Sequence, residues 1–272
     1  MAVFVRAAGY HHIPGSETTL VRFVFGLATV LAMHFLGLTR IVIRRPGWLA
    51  ARGITGALAI LFYFLSLSAA TGSGATTLTN SVLLGNSYFV FAPLFGALLI
   101  RERLRRIILV PVLAALVGIY LVVNPTFGGI RTGDLYGLGS GIMAGLAIVT
   151  VRELRRTEPA TVVFLSLCSF GIIIAGVTLA VQRPVALDGV GWAILAGMAA
   201  TSTAGQLILT HAFRYVRAGE GSLIAMTTVV YSSLAGILLF HEPFTARFAA
   251  GAALVLASAG YLAVTCEAAQ EA

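Results

Sequence analysis

The polar side chains that could carry out chemistry in this sequence lie inside long apolar runs. We predict a binding role for six of them: Asn80, Asn86, Tyr88, Gln206, His211 and Tyr231. An amide left unpaired in lipid is unfavourable by several kcal/mol, so Asn86 and Gln206 must face other helices or a wet cavity. Hydrogen bonding between helices and contact with a solute are both open for these amides. For the tyrosines, packing and stacking on a solute are both open.

The carboxylates and cysteines do not form a catalytic pattern. The carboxylates fall at the ends of apolar runs or between them: Glu102, Asp134, Glu153, Asp188, Glu220 and Glu242. A membrane enzyme would need a charged constellation within the runs, and the sequence has no HExxH-type metal motif. Cys168 and Cys266 lie in or beside apolar runs and indicate packing. The sequence therefore predicts no catalytic residue, no metal site, no cofactor and no enzyme activity.

Two pairs of titratable residues have open roles. His34 and His211 lie within apolar runs, where a core histidine with satisfied hydrogen bonds and a proton-coupling group are the two interpretations. Glu102 and Glu242 each precede a helix, where a carboxylate favours the positive end of the helix dipole. A gating role, in which these carboxylates pair with arginine clusters, is the alternative.

The composition excludes a soluble domain. The chain has 272 residues, of which 58% are hydrophobic and 10% are charged, whereas soluble domains have about 25% charged residues. The net charge is +8, and all 18 basic residues are arginines. These arginines cluster between apolar runs, which is typical of membrane proteins. The pattern favours a membrane protein without a nucleic-acid partner.

Nine apolar runs are long enough to cross a bilayer as helices, for which about 20 residues suffice. They are Thr18–Thr39, Trp48–Ala70, Thr77–Ile100, Ile107–Val123, Leu135–Val151, Thr161–Val181, Gly191–Phe213, Ser222–Phe240 and Ala246–Cys266. In Leu135–Val151, Gly137, Gly141 and Gly145 form two GxxxG steps, which predict close helix packing. The predicted fold is an all-α polytopic membrane bundle of about nine helices.

The arginines also predict the orientation of the chain. We name the side reached after the first run side X. Side X holds 13 of the 18 arginines: Arg40, Arg44, Arg45, Arg52, Arg101, Arg103, Arg105, Arg106, Arg152, Arg155, Arg156, Arg214 and Arg217. The positive-inside rule then places side X, and with it the C-terminus, in the cytoplasm. We interpret Met1–Ala8, which is apolar but short, as the tail of a helix whose first part is missing.

An internal repeat divides the sequence into two halves. A shift of 140 residues aligns Gly96–Glu102 with Gly236–Glu242, with four of seven positions identical. The two glutamates fall on opposite sides of the predicted membrane, so the halves have inverted topology. Inverted repeats are typical of secondary transporters, whose substrate site lies near the midplane. The predicted halves are residues 1–126 and 127–272.

Several motifs follow one another in a characteristic order and spacing. They are Ser16-Glu17 with Arg22, Arg101-Glu102-Arg103-Leu104, Gly133-Asp134-Leu135, Val151-Arg152-Glu153-Leu154-Arg155-Arg156, Ala212-Phe213-Arg214-Tyr215-Val216 and Phe240-His241-Glu242-Pro243. In these motifs the chain resembles the drug/metabolite transporter superfamily, in its EamA-type branch of ten-helix carriers. The resemblance implies a first EamA-like half with a truncated first helix and a complete second half. It also implies central prolines, but Phe89 and Val229 occupy those places.

The expected function is alternating-access transport of a small organic solute. Export is implied by the resemblance. A cavity lined by Asn, Gln, Tyr and Ser without embedded charge favours an amino-acid-like solute or a drug. A lipid-carrier flippase on the same scaffold, or a membrane subunit or enzyme that does not transport, are the alternatives. The expected location is the inner (plasma) membrane, with the bilayer and a small-molecule substrate as partners, and a homodimer stays open.

Overall fold

The computed structural model describes residues 4, 13, 15–71, 78–102, 109–123, 131–181, 188–240 and 245–268. Regular structure in this part of the chain is helical throughout, which confirms the predicted all-α fold. The helices are α1 (Gly15–Phe35), α2 (Pro46–Thr71), α3 (Leu78–Gly85), α4 (Tyr88–Leu99), α5 (Leu109–Val123), α6 (Thr132–Leu154), α7 (Ala160–Val181), α8 (Gly189–Ala212), α9 (Ala218–Ala225), α10 (Thr227–Phe240) and α11 (Ala246–Ala268).

Each predicted run is helical, but two runs that we expected to be single helices are broken. Thr77–Ile100 becomes α3 and α4, which are separated at Asn86 and Ser87. Ser222–Phe240 becomes α9 and α10, which are separated at Met226. An apolar run records only that a segment can lie in lipid, so hydropathy does not reveal a local break. The breaks occur without the prolines that the resemblance implied.

Five stretches are long and apolar enough to cross a membrane among the residues that the structure describes. They are Glu17–Phe35, Val82–Leu99, Thr132–Leu154, Ala160–Val177 and Gly189–Ala212. Shorter apolar helices are present at Leu109–Leu121 and Ala246–Tyr261. Together they confirm a multi-pass membrane bundle.

The first of two compact units comprises residues 1–61 and 150–214. Within it α1 packs against α7 and α8. Its core contains Phe23, Phe164 and Cys168, and the burial of Cys168 confirms the packing role predicted for that cysteine. A second cluster joins Leu195 and Met198 of α8 with part-buried Val21 of α1.

The second unit comprises residues 62–149 and 215–272. In this unit α5 packs along α11, and α9 packs against α4. The buried core includes residues next to both helix breaks, such as Phe89, Leu223 and Met226. Both compact units therefore combine segments from the two predicted halves of the sequence. The division into halves at residue 126 stays a prediction about chain organisation.

The glycines of α6 allow close packing in the second unit, as the GxxxG steps predict. A methyl group added at Gly137 would lie 3.0 Å from Cβ of Leu84, and one at Gly145 would lie 2.8 Å from Cβ of Phe91. At Gly141 it would lie 2.6 Å from the carbonyl oxygen of Leu84 and closer still to Oγ of Ser87. The glycine face of α6 therefore lies directly against the break between α3 and α4.

Candidate functional site

A stripe of polar side chains runs along the buried face of α8 in the first unit. Ser202, Thr203 and Thr210 are buried, at the helical spacing that continues from the core residues Leu195 and Met198. Gln206 falls on the same stripe and is half-buried. The structure thus places this predicted amide on an inward face of the helix.

Two hydroxyl groups of the stripe have no hydrogen-bond partner among the described residues. They are Oγ of Ser202 and Oγ1 of Thr203, and both atoms are shielded from solvent. The exposed Thr201 next to them instead donates from Oγ1 to the carbonyl oxygen of Gly197, at 2.8 Å, in its own helix. A buried hydroxyl without a partner is unfavourable by about 1–3 kcal/mol. The stripe can therefore gain a water molecule or a solute as its partner.

The first helix break, in the second unit, is stabilised by its own side chains. Asn86 donates from Nδ2 to the carbonyl oxygen of Val82 at 2.8 Å, and Ser87 donates from Oγ to that of Leu84 at 2.6 Å. The second break uses Thr227 in the same way, donating from Oγ1 to the carbonyl oxygen of Ile224 at 2.8 Å. Such bonds satisfy carbonyl groups that an interrupted helix leaves free in lipid. The described hydrogen bond of Asn86 is thus within its own helix.

The remaining predicted residues of the second unit have different environments. Tyr88 is half-buried and packs against the core cluster that contains Phe89. Tyr231 is 61% exposed. Asn80 lies on α3, but its side chain is outside the described residues. The structure brings Asn86 and Tyr88 together at the first break, and it places Tyr231 one turn into α10.

Glu102 stabilises the start of α9, and the start of the helix that follows Glu102 in the chain lies outside the described residues. Its Oε2 accepts a hydrogen bond from the backbone N–H of Ala218, at 3.1 Å, at the start of α9. Glu220 accepts from the N–H of Arg217 at the same helix end, also at 3.1 Å. Two carboxylates therefore stabilise the positive end of α9. Glu242 lies outside the described residues.

Comparison with known proteins bears on this arrangement. Residues 131–264 match the EamA-like transporter family. Most of the chain is also similar to proteins named as transporters. An uncharacterized transporter of Helicobacter pylori (strain ATCC 700392 / 26695) is 28% identical over 220 residues, which are 77% of this chain and 71% of the relative.

A second relative is the pseudopaline exporter CntI of Pseudomonas aeruginosa (strain UCBPP-PA14). It is 24% identical over 247 residues, which are 90% of this chain and 84% of the relative. A solved crystal structure of another protein matches the fold with a TM-score of 0.80 at 18% identity, and covers 98% of this chain and 92% of that one. These similarities confirm the prediction of a membrane transporter rather than an enzyme.

Residues on predicted side X, including two arginines, hold helix ends together in the first unit. Oε1 of Glu158 accepts the backbone N–H groups of Arg44 and Arg45 at 2.7 and 2.8 Å. Glu153 forms ion pairs with Arg45 at 2.6 Å and with Arg156 at 2.9 Å. Such pairs satisfy groups that would otherwise be buried without a partner. These arginines thus have a structural role besides marking orientation.

The histidines are at helix ends in the structure. His34 is exposed near the end of α1, and its Nδ1 lies 3.1 Å from the carbonyl oxygen of Thr39. His211 is exposed in the last turn of α8. Gln206 and His211 therefore share one helix, but they differ in burial.

Two arginines correct our expectation of a cavity without embedded charge. We expected Arg52 in a loop on side X, but it lies within α2 and is only 5% exposed. Arg22 is half-buried within α1. The sequence contained a signal for both, because each arginine stands inside an apolar run. The signal for Ser202 and Thr203 was their spacing from Gln206 and Thr210 along one helix face.

Proposed function

We propose that this transporter exports a small, amino-acid-like organic solute by alternating access, and that the polar stripe of α8 lines the solute path. The observation that carries the proposal is the pair of buried, unpartnered hydroxyls of Ser202 and Thr203. An apolar helix that crosses a membrane has no reason to bury such groups unless water or a solute reaches them. Gln206 follows on the same face and supplies both a donor and an acceptor.

Export of an organic metabolite has support from a relative. The relative from Pseudomonas aeruginosa is named an exporter of pseudopaline. The family match of residues 131–264 supports the same class of activity. The chemistry of the stripe, which is rich in neutral donors and acceptors, suits a polar organic solute rather than an apolar one.

The other predicted site residues belong to the same proposal. Asn80, Asn86, Tyr88 and Tyr231 lie on or beside the interrupted helices, and interrupted helices form the substrate sites of many secondary transporters. His211 lies near the side-X end of α8. The halves 1–126 and 127–272 are proposed as the inverted repeats that rock during transport. We further propose the inner membrane as the location, with the C-terminus in the cytoplasm. A homodimer and the absence of a nucleic-acid partner remain predictions.

Uptake into proteoliposomes tests the proposal. A mixed panel of labelled neutral amino acids is supplied with and without a pH gradient, to wild type and to Thr203→Val, Gln206→Ala and Thr201→Val. Loss of one hydrogen bond to the solute corresponds to about 1 kcal/mol, or roughly fivefold in rate. We expect that loss for Thr203→Val and a larger one for Gln206→Ala. Thr201→Val is the matched control, because this exposed hydroxyl bonds within its own helix.

The same experiment has outcomes that contradict the proposal. Equal uptake by the Thr201 and Thr203 variants would show that the buried stripe does not line the path. Protein-dependent lipid movement without uptake of any solute would favour the lipid-carrier function. Uptake that is insensitive to the pH gradient, and unchanged in His34→Ala and His211→Ala, would exclude proton coupling through these histidines.

A further inference from the structure

Two arginines lie close to each other inside the first unit, in α1 and α2. The guanidinium of Arg52 lies within electrostatic range of the guanidinium of Arg22 and of the sulfur of Cys168. The guanidinium of Arg22 also lies within range of Cys168, and it is 5.5 Å from the centroid of the Phe23 ring. Neither arginine has an ion pair in the part of the chain that the structure describes. Like charges repel each other in a low-dielectric interior, so an anion near both guanidinium groups would be stabilising.

Arg52 also points in an unusual direction. Charged side chains in a membrane helix normally extend towards the nearer interface. Arg52 is six residues after the first residue of α2, Pro46, on the predicted side X. Its Nη1 nevertheless lies over Gly56, one turn further into the helix, where an added methyl group would collide with it. Gly56 is ten residues from the helix start, or roughly 15 Å, which is about half of a bilayer core.

The guanidinium of Arg52 is therefore buried near the membrane centre and has a hydrogen-bond donor that is not satisfied. The side chain is 5% exposed, and its Nε has no hydrogen-bond partner among the described residues. Glycine at position 56 leaves the space that the guanidinium occupies, beside Leu167 of α7. A guanidinium presents its donors as a planar fork, which matches the two oxygens of a carboxylate.

Arg22 and the polar stripe of α8 lie at neighbouring levels of the first unit. Val21 of α1 packs in one cluster with Leu195 and Met198 of α8. Arg22 is the next residue of α1 after Val21, and Ser202 lies one turn after Met198 on α8. Because α1 and α8 pack against each other, Arg22 and the unpartnered hydroxyls occupy neighbouring levels of the unit. A charged group and a neutral polar group of one small solute can be bound at these two places.

We infer that Arg22 and Arg52 bind a carboxylate of the exported solute, while the hydroxyl stripe of α8 binds its neutral polar part. This inference rests on the proposed function, since it names the class of solute for the same path. Two guanidinium groups favour solutes with at least one carboxylate and suit a second one. Uncharged amides of the same shape are discriminated against, because they leave the arginine pair without a counter-charge.

A binding experiment on the full chain in detergent tests the inference without requiring transport. The midpoint temperature of thermal unfolding is measured at constant ionic strength with each of five ligands. They are glutamate and glutarate with two carboxylates, glutamine with one, glutaramide with none, and inorganic phosphate. We expect glutamate and glutarate to raise the unfolding midpoint of wild type until the site is saturated, and glutaramide to leave the midpoint unchanged. Glutamine, which keeps one carboxylate, is expected to bind more weakly than glutamate.

Charge variants assign the effect to the arginine pair. Arg22→Gln and Arg52→Gln are each expected to weaken the apparent affinity for glutarate at least tenfold. Arg40→Gln is the matched control, because Arg40 is exposed in the same unit, and it should bind like wild type. Arg52→Lys retains the charge but loses the planar fork, so it should fold and bind with intermediate affinity. This variant keeps the test decisive if Arg52→Gln does not fold.

Each contrary result overturns the inference. A wild-type midpoint that no carboxylate raises would show that the pair does not bind this class. Wild-type affinity in folded Arg52→Lys and Arg22→Gln would show that the binding site lies elsewhere. Stabilisation by phosphate alone, or by added phosphatidylglycerol alone, would assign the pair to phosphate or to a lipid headgroup.

The failure of the inference and of the proposed function can be told apart. Glutaramide and glutamate are compared as labelled solutes in proteoliposomes. Transport of both that does not depend on Arg22 and Arg52 would leave the export function standing and overturn the carboxylate site. Arginine-dependent binding of glutarate without transport of any solute would support the carboxylate site and overturn the export function.

Discussion

Substituting Gly141 by alanine should destabilise the second unit more than any other glycine substitution on α6. The added Cβ would lie 2.6 Å from the carbonyl oxygen of Leu84, whereas ordinary contact begins at 3.4 Å, and the Oγ of Ser87 would be closer still. The backbone of α3 must therefore retreat by roughly 0.8 Å or more. Overpacking of this kind costs about 1–3 kcal/mol, and backbone contacts that cannot rotate away place Gly141→Ala at the upper end.

The neighbouring glycines provide a graded series. At Gly145 the added methyl would meet Cβ of Phe91 at 2.8 Å, and at Gly137 it would meet Cβ of Leu84 at 3.0 Å. The expected order of destabilisation is therefore Gly141, then Gly145, then Gly137. Gly260→Ala is the matched control in the same unit, because nothing lies within 4 Å of its added methyl. Alanine is the better helix former by about 1 kcal/mol, so this control should be neutral or stabilising.

Equilibrium unfolding in mixed micelles, with helix content as the readout, measures the series. Removing the Ser87 hydroxyl in a Ser87→Ala, Gly141→Ala double variant should recover part of the loss, because the Leu84 carbonyl remains in place. If Gly141→Ala were as stable as Gly260→Ala, the close approach of α6 to the helix break would be refuted.

Substitutions at three further residues test the helix ends. Glu158→Ala should lower the free energy of unfolding by about 3 kcal/mol or more, because it removes two charge-assisted hydrogen bonds from the backbone of Arg44 and Arg45. Glu158→Gln should lower it by less than half as much. A loss below about 1 kcal/mol for Glu158→Ala in chemical unfolding would contradict this expectation. Asp188→Ala should cost only about 1 kcal/mol, because Oδ1 of Asp188 accepts one N–H of Gly191, at 2.7 Å, at an exposed helix start. Glu102→Ala should destabilise the protein by about 1 kcal/mol in a thermal melt. Glu102→Gln should stay near wild type, because an amide oxygen can still accept the backbone N–H of Ala218. A transport defect in a fully stable Glu102→Gln variant would instead support a gating role for Glu102.

Much of the fold could be predicted because lipid imposes simple rules on a sequence. A helix satisfies its own backbone groups, so an apolar run such as Gly191–Phe213 must be helical, and α8 spans Gly189–Ala212 accordingly. The glycine spacing in α6 likewise records a packing face, since only small residues let helices approach closely. Gln206 was predicted for the same reason, because an amide in lipid needs a polar partner.

The sequence by itself determined the membrane class, the order of the helices and the residues that cannot face lipid. Only the tertiary structure decided which of their faces are buried and what they meet. The break at Asn86 is invisible to hydropathy, because no proline marks it and the side chains of Asn86 and Ser87 satisfy carbonyl groups that the break leaves free. Arg52 stands near a run end and looked like a loop residue, yet Gly56 leaves space for its guanidinium to extend inward. Burial of a charge depends on what neighbouring helices place around it, and that is set by packing between segments distant in the chain.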